Sequence, residues 1–269
     1  MIFNNFTFPF DAIEMGLYFV IVGYYFLLFA FFLTMRFRTS KKIYWLFFSL
    51  LFLCLAAGRV FFIGYYFFIP EVNVSKAEIA RSLMLFYRIA TFFSWLAIAC
   101  FMGILGILLF PPEAEPDEKS SKLIQLTPQM KTILRIILIA IPIFVGILAL
   151  LLPDSLLMDP DIAKEYNINI SIHTIWGYPT GRFILLVLVI IFVFVIPFLF
   201  IYLAIKTYGV LRKSYLLNGI GILIYYIGRI LQGAFEVLKW HHFEATVPPL
   251  LILCALLLLV IANNYEQLR

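Results

Sequence analysis

Seven apolar runs constrain the fold of this chain more than any other feature of its sequence. They cover approximately residues 13–34, 43–68, 83–110, 132–152, 183–205, 215–238 and 247–262. A helix needs about 20 mainly apolar residues to cross a hydrocarbon core, and each run meets or approaches that length. Hydrophobic residues make up 64% of the chain and charged residues 13%, which is too apolar for a soluble domain. The sequence predicts an all-α integral membrane protein with seven transmembrane helices, spans 1 to 7, in a single domain over residues 1–269.

The distribution of lysine and arginine predicts the orientation of the spans, because cytoplasmic segments carry an excess of these residues. The segments after spans 1, 3 and 5 and the C-terminal tail hold twelve, namely Arg36, Arg38, Lys41, Lys42, Lys119, Lys122, Lys131, Arg135, Lys206, Arg212, Lys213 and Arg269. The opposite side holds five, namely Lys76, Arg81, Lys164, Arg182 and Lys239. We therefore expect a multi-pass protein of the plasma membrane with its N-terminus outside and its C-terminus inside.

Glycosylation motifs agree with this orientation. The Asn-X-Ser/Thr triplets begin at Asn5, Asn73 and Asn169, and all three lie on segments that the charge count places outside. N-glycans are attached to such triplets in surface loops of secreted and membrane proteins. The three asparagines are therefore candidate glycosylation sites.

Spans 1–3 and spans 5–7 share a pattern that indicates an internal repeat. In each set a basic segment leads into a helix that carries a Gly-Arg pair about 15 residues later, Gly58-Arg59 in span 2 and Gly228-Arg229 in span 6. Both sets would enter the membrane in the same sense. The pattern predicts a parallel 3+1+3 repeat of residues 13–110 and 183–262, with residues 132–152 as the connecting span.

Arginines within the spans indicate a polar site. A charge in hydrocarbon costs a few kcal/mol unless it is paired, hydrated or turned inward. Helical rise places Arg59, Arg88 and Arg229 at a similar level in the outer half of the bilayer. Gln232 and Glu236 share one helical face with Arg229. The candidate ligand-binding residues are Arg59, Arg88, Arg229, Gln232, Glu236, Glu14 and Tyr66. We expect a net-positive pocket open to the outside that binds a small anionic or polar molecule; alternatively, the same charges pair with one another and fasten the bundle.

Several functions are disfavoured by what the sequence lacks. No H-E-x-x-H, G-x-S-x-G or P-loop motif is present. Span 7 carries no charged residue, and no span has a lysine near its centre where retinal would form a Schiff base. We therefore predict no enzymatic activity, no metal site and no cofactor. The net charge of +5 is accounted for by cytoplasmic segments and requires no nucleic-acid partner.

The repeat and the recurring Gly-Arg pairs give this chain a topology that resembles seven-helix 3+1+3 membrane proteins. These include the seven-helix sensor regions that precede some prokaryotic histidine kinases and, more distantly, PQ-loop sugar transporters. The Pro-Gln pairs of PQ-loop transporters are absent from spans 1 and 5, since the Pro-Gln pair of this chain is Pro128-Gln129 in a predicted cytoplasmic loop.

The resemblance implies a receptor-like or sensor-like protein that signals through a cytoplasmic or membrane protein partner. We expect the partner to dock on segments 36–42, 111–131 and 206–213. Two alternatives remain at this point. The first is a small-solute transporter in which two three-helix units rock about a shared site. The second is a structural accessory subunit of a larger membrane complex.

Overall fold

The computed structural model describes residues 9–110, 127–238 and 240–264, and most of these residues are helical. Within these residues, seven helical segments are long and apolar enough to cross a membrane, which confirms the number predicted from the sequence. Spans 1 to 7 are Ala12–Ser40, Ile43–Glu71, Lys76–Leu109, Pro128–Leu151, Thr180–Lys206, Gly209–Phe235 and Ala245–Asn263.

The secondary-structure elements have the following bounds. The α-helices are α1 (Pro9–Phe31), α2 (Arg38–Ser40), α3 (Ile43–Ile63), α4 (Lys76–Leu109), α5 (Pro128–Leu151), α6 (Asp154–Leu157), α7 (Pro160–Glu165), α8 (Thr180–Lys206), α9 (Gly209–Leu238) and α10 (His241–Asn264). Two π-helical segments, Phe32–Phe37 and Gly64–Phe68, and a 3₁₀ turn, Ile69–Glu71, continue α1 and α3. The strands are β1 (Thr174–Ile175) and β2 (Tyr178–Pro179).

Span 3 begins at Lys76, well before the apolar run that predicted it to begin near residue 83. A capping box explains the difference. The backbone N–H and the hydroxyl of Ser75 both donate to the Glu78 carboxylate, and the Glu78 N–H donates back to the hydroxyl. These bonds satisfy N–H groups that have no intrahelical partner at the start of a helix. The helix therefore begins at polar residues that precede the apolar run.

Spans 6 and 7 also begin earlier than the sequence predicted. The basic segment before span 6 was expected to be a loop up to about residue 215, but α9 begins at Gly209. Gly209 has a positive φ of 65°, a conformation that glycine adopts without steric cost, so the chain reverses within a very short connection. Span 7 was predicted to begin near residue 247, whereas α10 begins at His241 and has Pro248 and Pro249 inside it.

The segment between spans 4 and 5 contains four short elements, the helices α6 and α7 and the strands β1 and β2. Helix α7 is capped by the Asp159 carboxylate, which accepts from the N–H of Asp161 at 2.9 Å. Strands β1 and β2 form an antiparallel hairpin whose turn residues, Trp176 and Gly177, both have positive φ, as a type I′ turn requires. We call residues 152–179 the outer segment. It contacts the start of span 5 through α6 and the hairpin.

The chain divides into two compact units. The first comprises Met1–Tyr24, Arg59–Tyr87 and Leu152–Arg269, and the second comprises Tyr25–Gly58 and Arg88–Leu151. In the first unit, span 6 packs against spans 5 and 7. A small core of Tyr65, Ile79 and Leu83 in that unit also receives Ile162 and Tyr166 from the outer segment.

The core of the second unit is aromatic. The Phe32 ring stacks on the rings of Trp45 and Phe52 at centroid distances of 5.6 and 5.7 Å. Spans 3 and 4 approach closely at Gly146, where a Cβ would lie 3.0 Å from the Cβ of Trp95. Small residues at such crossings allow apolar helices to pack in lipid, where hydrophobic burial no longer drives association between them.

Candidate functional site

A chain of hydrogen bonds joins spans 1 and 6 within the first unit. Arg229 donates from a terminal guanidinium nitrogen to Gln232 Oε1 at 2.9 Å. Gln232 Nε2 donates to the Tyr18 hydroxyl at 2.5 Å, and that hydroxyl donates to Glu14 Oε1 at 2.5 Å. Tyr18 and Gln232 are buried, so both polar groups are satisfied within the protein rather than by bulk solvent. We call Glu14, Tyr18, Gln232 and Arg229 the polar chain.

Span 2 adds a second arginine and two aromatic rings to this site. Arg59 is buried, and its guanidinium carbon lies 4.2 Å from the centroid of the Tyr18 ring. The Arg229 guanidinium lies over the Phe62 ring at 5.9 Å, and the Phe67 ring meets Tyr18 edge-on at 6.0 Å. An aromatic ring stabilises the face of a guanidinium, whereas the N–H edge is the part that binds carboxylate or phosphate. The site therefore contains two guanidinium groups and one carboxyl group among its described members.

The structure brings together four of the seven predicted site residues, Arg59, Arg229, Gln232 and Glu14. Tyr66 lies next to them, because its ring stacks on that of Phe62 at 6.2 Å, but 39% of Tyr66 is exposed. Arg88 belongs to the second unit and stays a prediction. The side chain of Glu236 lies outside the described part of the chain. Of the glycosylation candidates, Asn73 and Asn169 are exposed, and Asn5 lies outside the described residues.

Tyr18 is the central member of the polar chain and was not predicted from the sequence. It donates to one partner, accepts from another and carries Arg59 on its ring. One sequence signal was available, because Glu14 and Tyr18 are four residues apart and therefore share a helical face. An acid and a tyrosine at this spacing, inside an otherwise apolar run, indicate a hydrogen-bonded pair.

Arg182 forms a second buried arginine centre in the first unit, although its place just before an apolar run predicted a position in the outer loop. Its Nε donates to the backbone carbonyl of Leu157 at 2.5 Å, and a terminal nitrogen donates to the Tyr65 hydroxyl at 3.2 Å. The other terminal nitrogen lies 4.0 Å from the Asp159 carboxylate. The guanidinium stacks over the Tyr87 ring at 4.1 Å. Arg182 thereby fastens the outer segment to spans 2, 3 and 5.

A tyrosine hydroxyl of the outer segment lies close to the same centre. Burial raises the pKa of Tyr166, and the negative charge of Glu165 beside it raises that pKa further. The hydroxyl is therefore neutral at physiological pH. Because Tyr166 also packs on the core formed by Tyr65, Ile79 and Leu83, it contributes a ring and an uncharged hydroxyl where the outer segment meets spans 2 and 3.

All three Gly-Arg pairs of the chain have the same local arrangement. A Cβ on the glycine would lie 3.2 Å from the Ala90 carbonyl oxygen at Gly58, 2.8 Å from that of Leu156 at Gly181, and 3.3 Å from that of Pro248 at Gly228. The glycine thus permits close approach of a neighbouring backbone. Each arginine that follows lies over an aromatic ring, at 4.2, 4.1 and 5.9 Å for Arg59, Arg182 and Arg229.

The closest of these approaches predicts a strong effect of one methyl group. Gly181→Ala is expected to lower the free energy of unfolding by about 1–3 kcal/mol, because the new Cβ meets a backbone oxygen that cannot move aside. The matched control is Gly23→Ala in span 1, where a Cβ would meet nothing within 4 Å. Thermal unfolding in detergent measures both. Equal midpoints for the two variants would show that the outer segment is not packed tightly on Gly181.

Three comparisons with known proteins gave no relative from which the role of this site could be inferred. A scan against protein-family models, a search of curated proteins and a search of solved structures found no match to this chain. Within the described residues, no group of three or more histidine, cysteine, aspartate or glutamate side chains could hold a metal ion.

Proposed function

We propose that this protein is a receptor-like or sensor-like membrane protein that binds a small anionic or polar molecule at the polar chain and Arg59. The observation that carries the proposal is the charge balance of the site. Two guanidinium groups, one of them buried and one half-buried, accompany a single carboxyl group among the described members. In a low-dielectric setting an excess positive charge favours an anionic partner, and guanidinium groups bind carboxylates and phosphates with defined geometry.

The orientation and cellular location belong to the same proposal. We infer an outside N-terminus and an inside C-terminus in the plasma membrane from the excess of lysine and arginine on one set of segments. Asn73 and Asn169 are exposed and fall on segments that this orientation places outside, as glycan acceptors would require. Gly58 packs on the backbone of span 3 and Gly228 on the backbone of span 7, the third span of each set, and this correspondence supports a parallel 3+1+3 repeat. The ligand would then approach from outside, and the protein would act as a binding protein rather than an enzyme.

Signalling would require a partner protein. The basic segments proposed to be cytoplasmic are the surfaces on which we expect this partner to dock. One of them differs from the loop expected from the sequence, because residues 209–213 form the first turn and a half of α9. A partner at this position would therefore contact a helix that continues directly to Arg229, so that a shift of span 6 on ligand binding would reach the docking surface.

A ligand screen tests the proposed function. Purified protein in detergent is heated with a panel of small carboxylates, phosphates, sugars and amino acids. A binder should raise the midpoint of the parent, and this rise should disappear in Arg59→Gln and Arg229→Gln. The control is Arg81→Gln, which removes an exposed arginine in span 3 of the same unit and should leave the rise intact. A rise that survives both site variants would place the ligand elsewhere and contradict the proposal.

A small-solute transporter is the second candidate, and the π-helical segment Gly64–Phe68 favours it. π-Helical turns inside α-helices frequently occur at functional sites. This one carries Tyr65, which contacts Arg182, and Phe67, which contacts Tyr18. A change from π to α geometry there would move both contacts together. Uptake of the bound molecule into proteoliposomes would favour transport, whereas binding without uptake would favour a receptor. An accessory subunit predicts neither and should purify with partner proteins.

A further inference from the structure

The second unit has an unusual charge composition. Its described residues, 25–58, 88–110 and 127–151, contain seven basic side chains and no acidic one. The basic residues are Arg36, Arg38, Lys41, Lys42, Arg88, Lys131 and Arg135. Charge neutralisation from within this part of the chain is therefore impossible. An acidic group that pairs with these cations therefore has to come from outside these residues.

Six of these seven side chains lie at one end of the unit. Spans 2 and 3 are in contact where Phe47 meets Gly103, and spans 3 and 4 are in contact one helical turn later, where Arg135 meets Gly106. These two contacts place the first turns of span 2 and of span 4 near the same end of span 3. Segment 36–42 immediately precedes span 2, and Lys131 lies one turn before Arg135. We call Arg36, Arg38, Lys41, Lys42, Lys131 and Arg135 the basic end.

Two arginines of the basic end are fixed by packing rather than extended into solvent. The Arg36 guanidinium lies 5.4 Å from the centroid of the Trp45 ring and 5.9 Å from that of Phe31. The stem of Arg135 packs against Gly106, since its Cγ lies 3.2 Å from the position that a Cβ on Gly106 would take. The Nε of Arg135 is buried and has no hydrogen-bond acceptor within the described part of the chain. A buried donor left without an acceptor costs about 1–3 kcal/mol.

We propose that the basic end binds the phosphate groups of anionic lipids. The occupant follows from charge and position. The cations lie at the ends of helices long and apolar enough to cross a membrane, which is the level of the lipid head groups. The aromatic rings of Phe31 and Trp45 beside Arg36 suit the boundary between head groups and acyl chains. A lipid phosphate offers oxygen acceptors to Arg135 and Arg36 while the exposed Arg38, Lys41 and Lys42 supply further positive charge.

The experiment compares lipids that differ only in head-group charge. Purified protein is placed in detergent micelles mixed with dioleoyl phosphatidylglycerol or dioleoyl phosphatidylcholine, and thermal unfolding is followed by tryptophan fluorescence. We expect the anionic lipid to raise the midpoint by about 4 °C over the zwitterionic one. Arg135→Gln should lose about half of this increment, and Arg135→Lys should retain more of it, because the charge remains while the planar fork is lost. The double change Lys41→Gln with Lys42→Gln, at two exposed positions outside the spans, should also reduce the increment.

A matched control separates a defined site from general charge attraction. Arg81→Gln removes one exposed arginine in the first unit and should keep the full increment. The proposal is overturned if the two lipids give equal midpoints with the parent, or if Arg81→Gln loses as much as Arg135→Gln. It is also overturned if inorganic phosphate alone produces the same rise, because the source would then be a free anion.

A further variant tests whether the acidic linker of this chain, rather than a lipid, binds the basic end. The linker between spans 3 and 4 carries Glu113, Glu115, Asp117 and Glu118, all outside the described residues. Replacing these four with their amides should leave the lipid increment in place. An increment that appears only after this replacement would assign the basic end to the linker and contradict the lipid proposal.

Discussion

Arg182→Leu is expected to lower the free energy of unfolding by about 3–5 kcal/mol and to detach the outer segment from the bundle. The side chain is 6% exposed, and its guanidinium contacts four groups, namely the Leu157 carbonyl, the Tyr65 hydroxyl, the Asp159 carboxylate and the Tyr87 ring. Removing one partner of a buried polar network leaves the other partners desolvated and unsatisfied, which costs more than the net value of the contacts themselves.

Graded variants distinguish the contributions of charge and shape at this centre. Arg182→Lys keeps the positive charge but cannot reach three acceptors from one plane, so we expect about half of the loss. Asp159→Asn should cost less than about 1 kcal/mol, because the nitrogen–oxygen distance is 4.0 Å and the carboxylate is 27% exposed. Arg81→Leu, at an exposed arginine of span 3, is the matched control and should be nearly neutral.

Two measurements test these expectations. Denaturant unfolding in detergent gives the change in stability. Hydrogen exchange of residues 152–179 reports whether the outer segment opens before the spans do, which is the local result expected when its anchor is removed. If Arg182→Leu were as stable as Arg81→Leu and left exchange in this segment unchanged, Arg182 would not be its anchor.

The number of spans was predictable because apolar length alone decides it. Every run of about 20 apolar residues became a helix long enough to cross a membrane. The boundaries were less accurate, since hydropathy does not register capping. Ser75 and Glu78 begin span 3 outside its apolar run, and Gly209 permits a short reversal where a basic loop was expected.

The site was predictable in part, and the missing residues have a common cause. Polar residues inside apolar runs are conspicuous, so Arg59, Arg229, Gln232 and Glu14 were identified. Tyr18 and Arg182 were not, because a tyrosine is ordinary in an apolar run and an arginine is ordinary near the end of one. Their roles arise from contacts between residues far apart in sequence, such as Gln232 with Tyr18. Helical periodicity gives the face of a residue but not its partner on another helix.

For Arg182 the local sequence did offer one indication of a packed arginine. Gly181-Arg182 is the same dipeptide as the two pairs that defined the expected repeat. Gly181-Arg182 does not occupy the position of the other two pairs in the repeat, but the structure shows that it packs in the same way. A glycine admits a neighbouring backbone, and the following arginine lies over a ring of another span. A Gly-Arg pair near the end of an apolar run therefore indicates a packed arginine in this chain.

Tyr18→Phe is expected to lower the free energy of unfolding by about 2 kcal/mol and to uncouple the two ends of the polar chain. The change removes only the hydroxyl, so the ring beneath Arg59 is preserved. Gln232 then has a donor without its acceptor, and Glu14 loses the hydroxyl that donates to it. Each buried group left in this way costs about 1–3 kcal/mol. Tyr24→Phe, in the same helix but outside the polar chain, is the matched control and should be nearly neutral.

Coupling is the more decisive measurement, because it separates a connected network from a set of independent polar contacts. In the parent, the stability losses of Glu14→Gln and Arg229→Gln should differ from additivity by about 0.5–1 kcal/mol or more, since both residues belong to one hydrogen-bonded chain. In the Tyr18→Phe background the same two changes should become additive. Additivity already in the parent would show that the arginine and the glutamate act separately. Tyr18 would then contribute only the ring on which Arg59 stacks, and its hydroxyl would not couple spans 1 and 6.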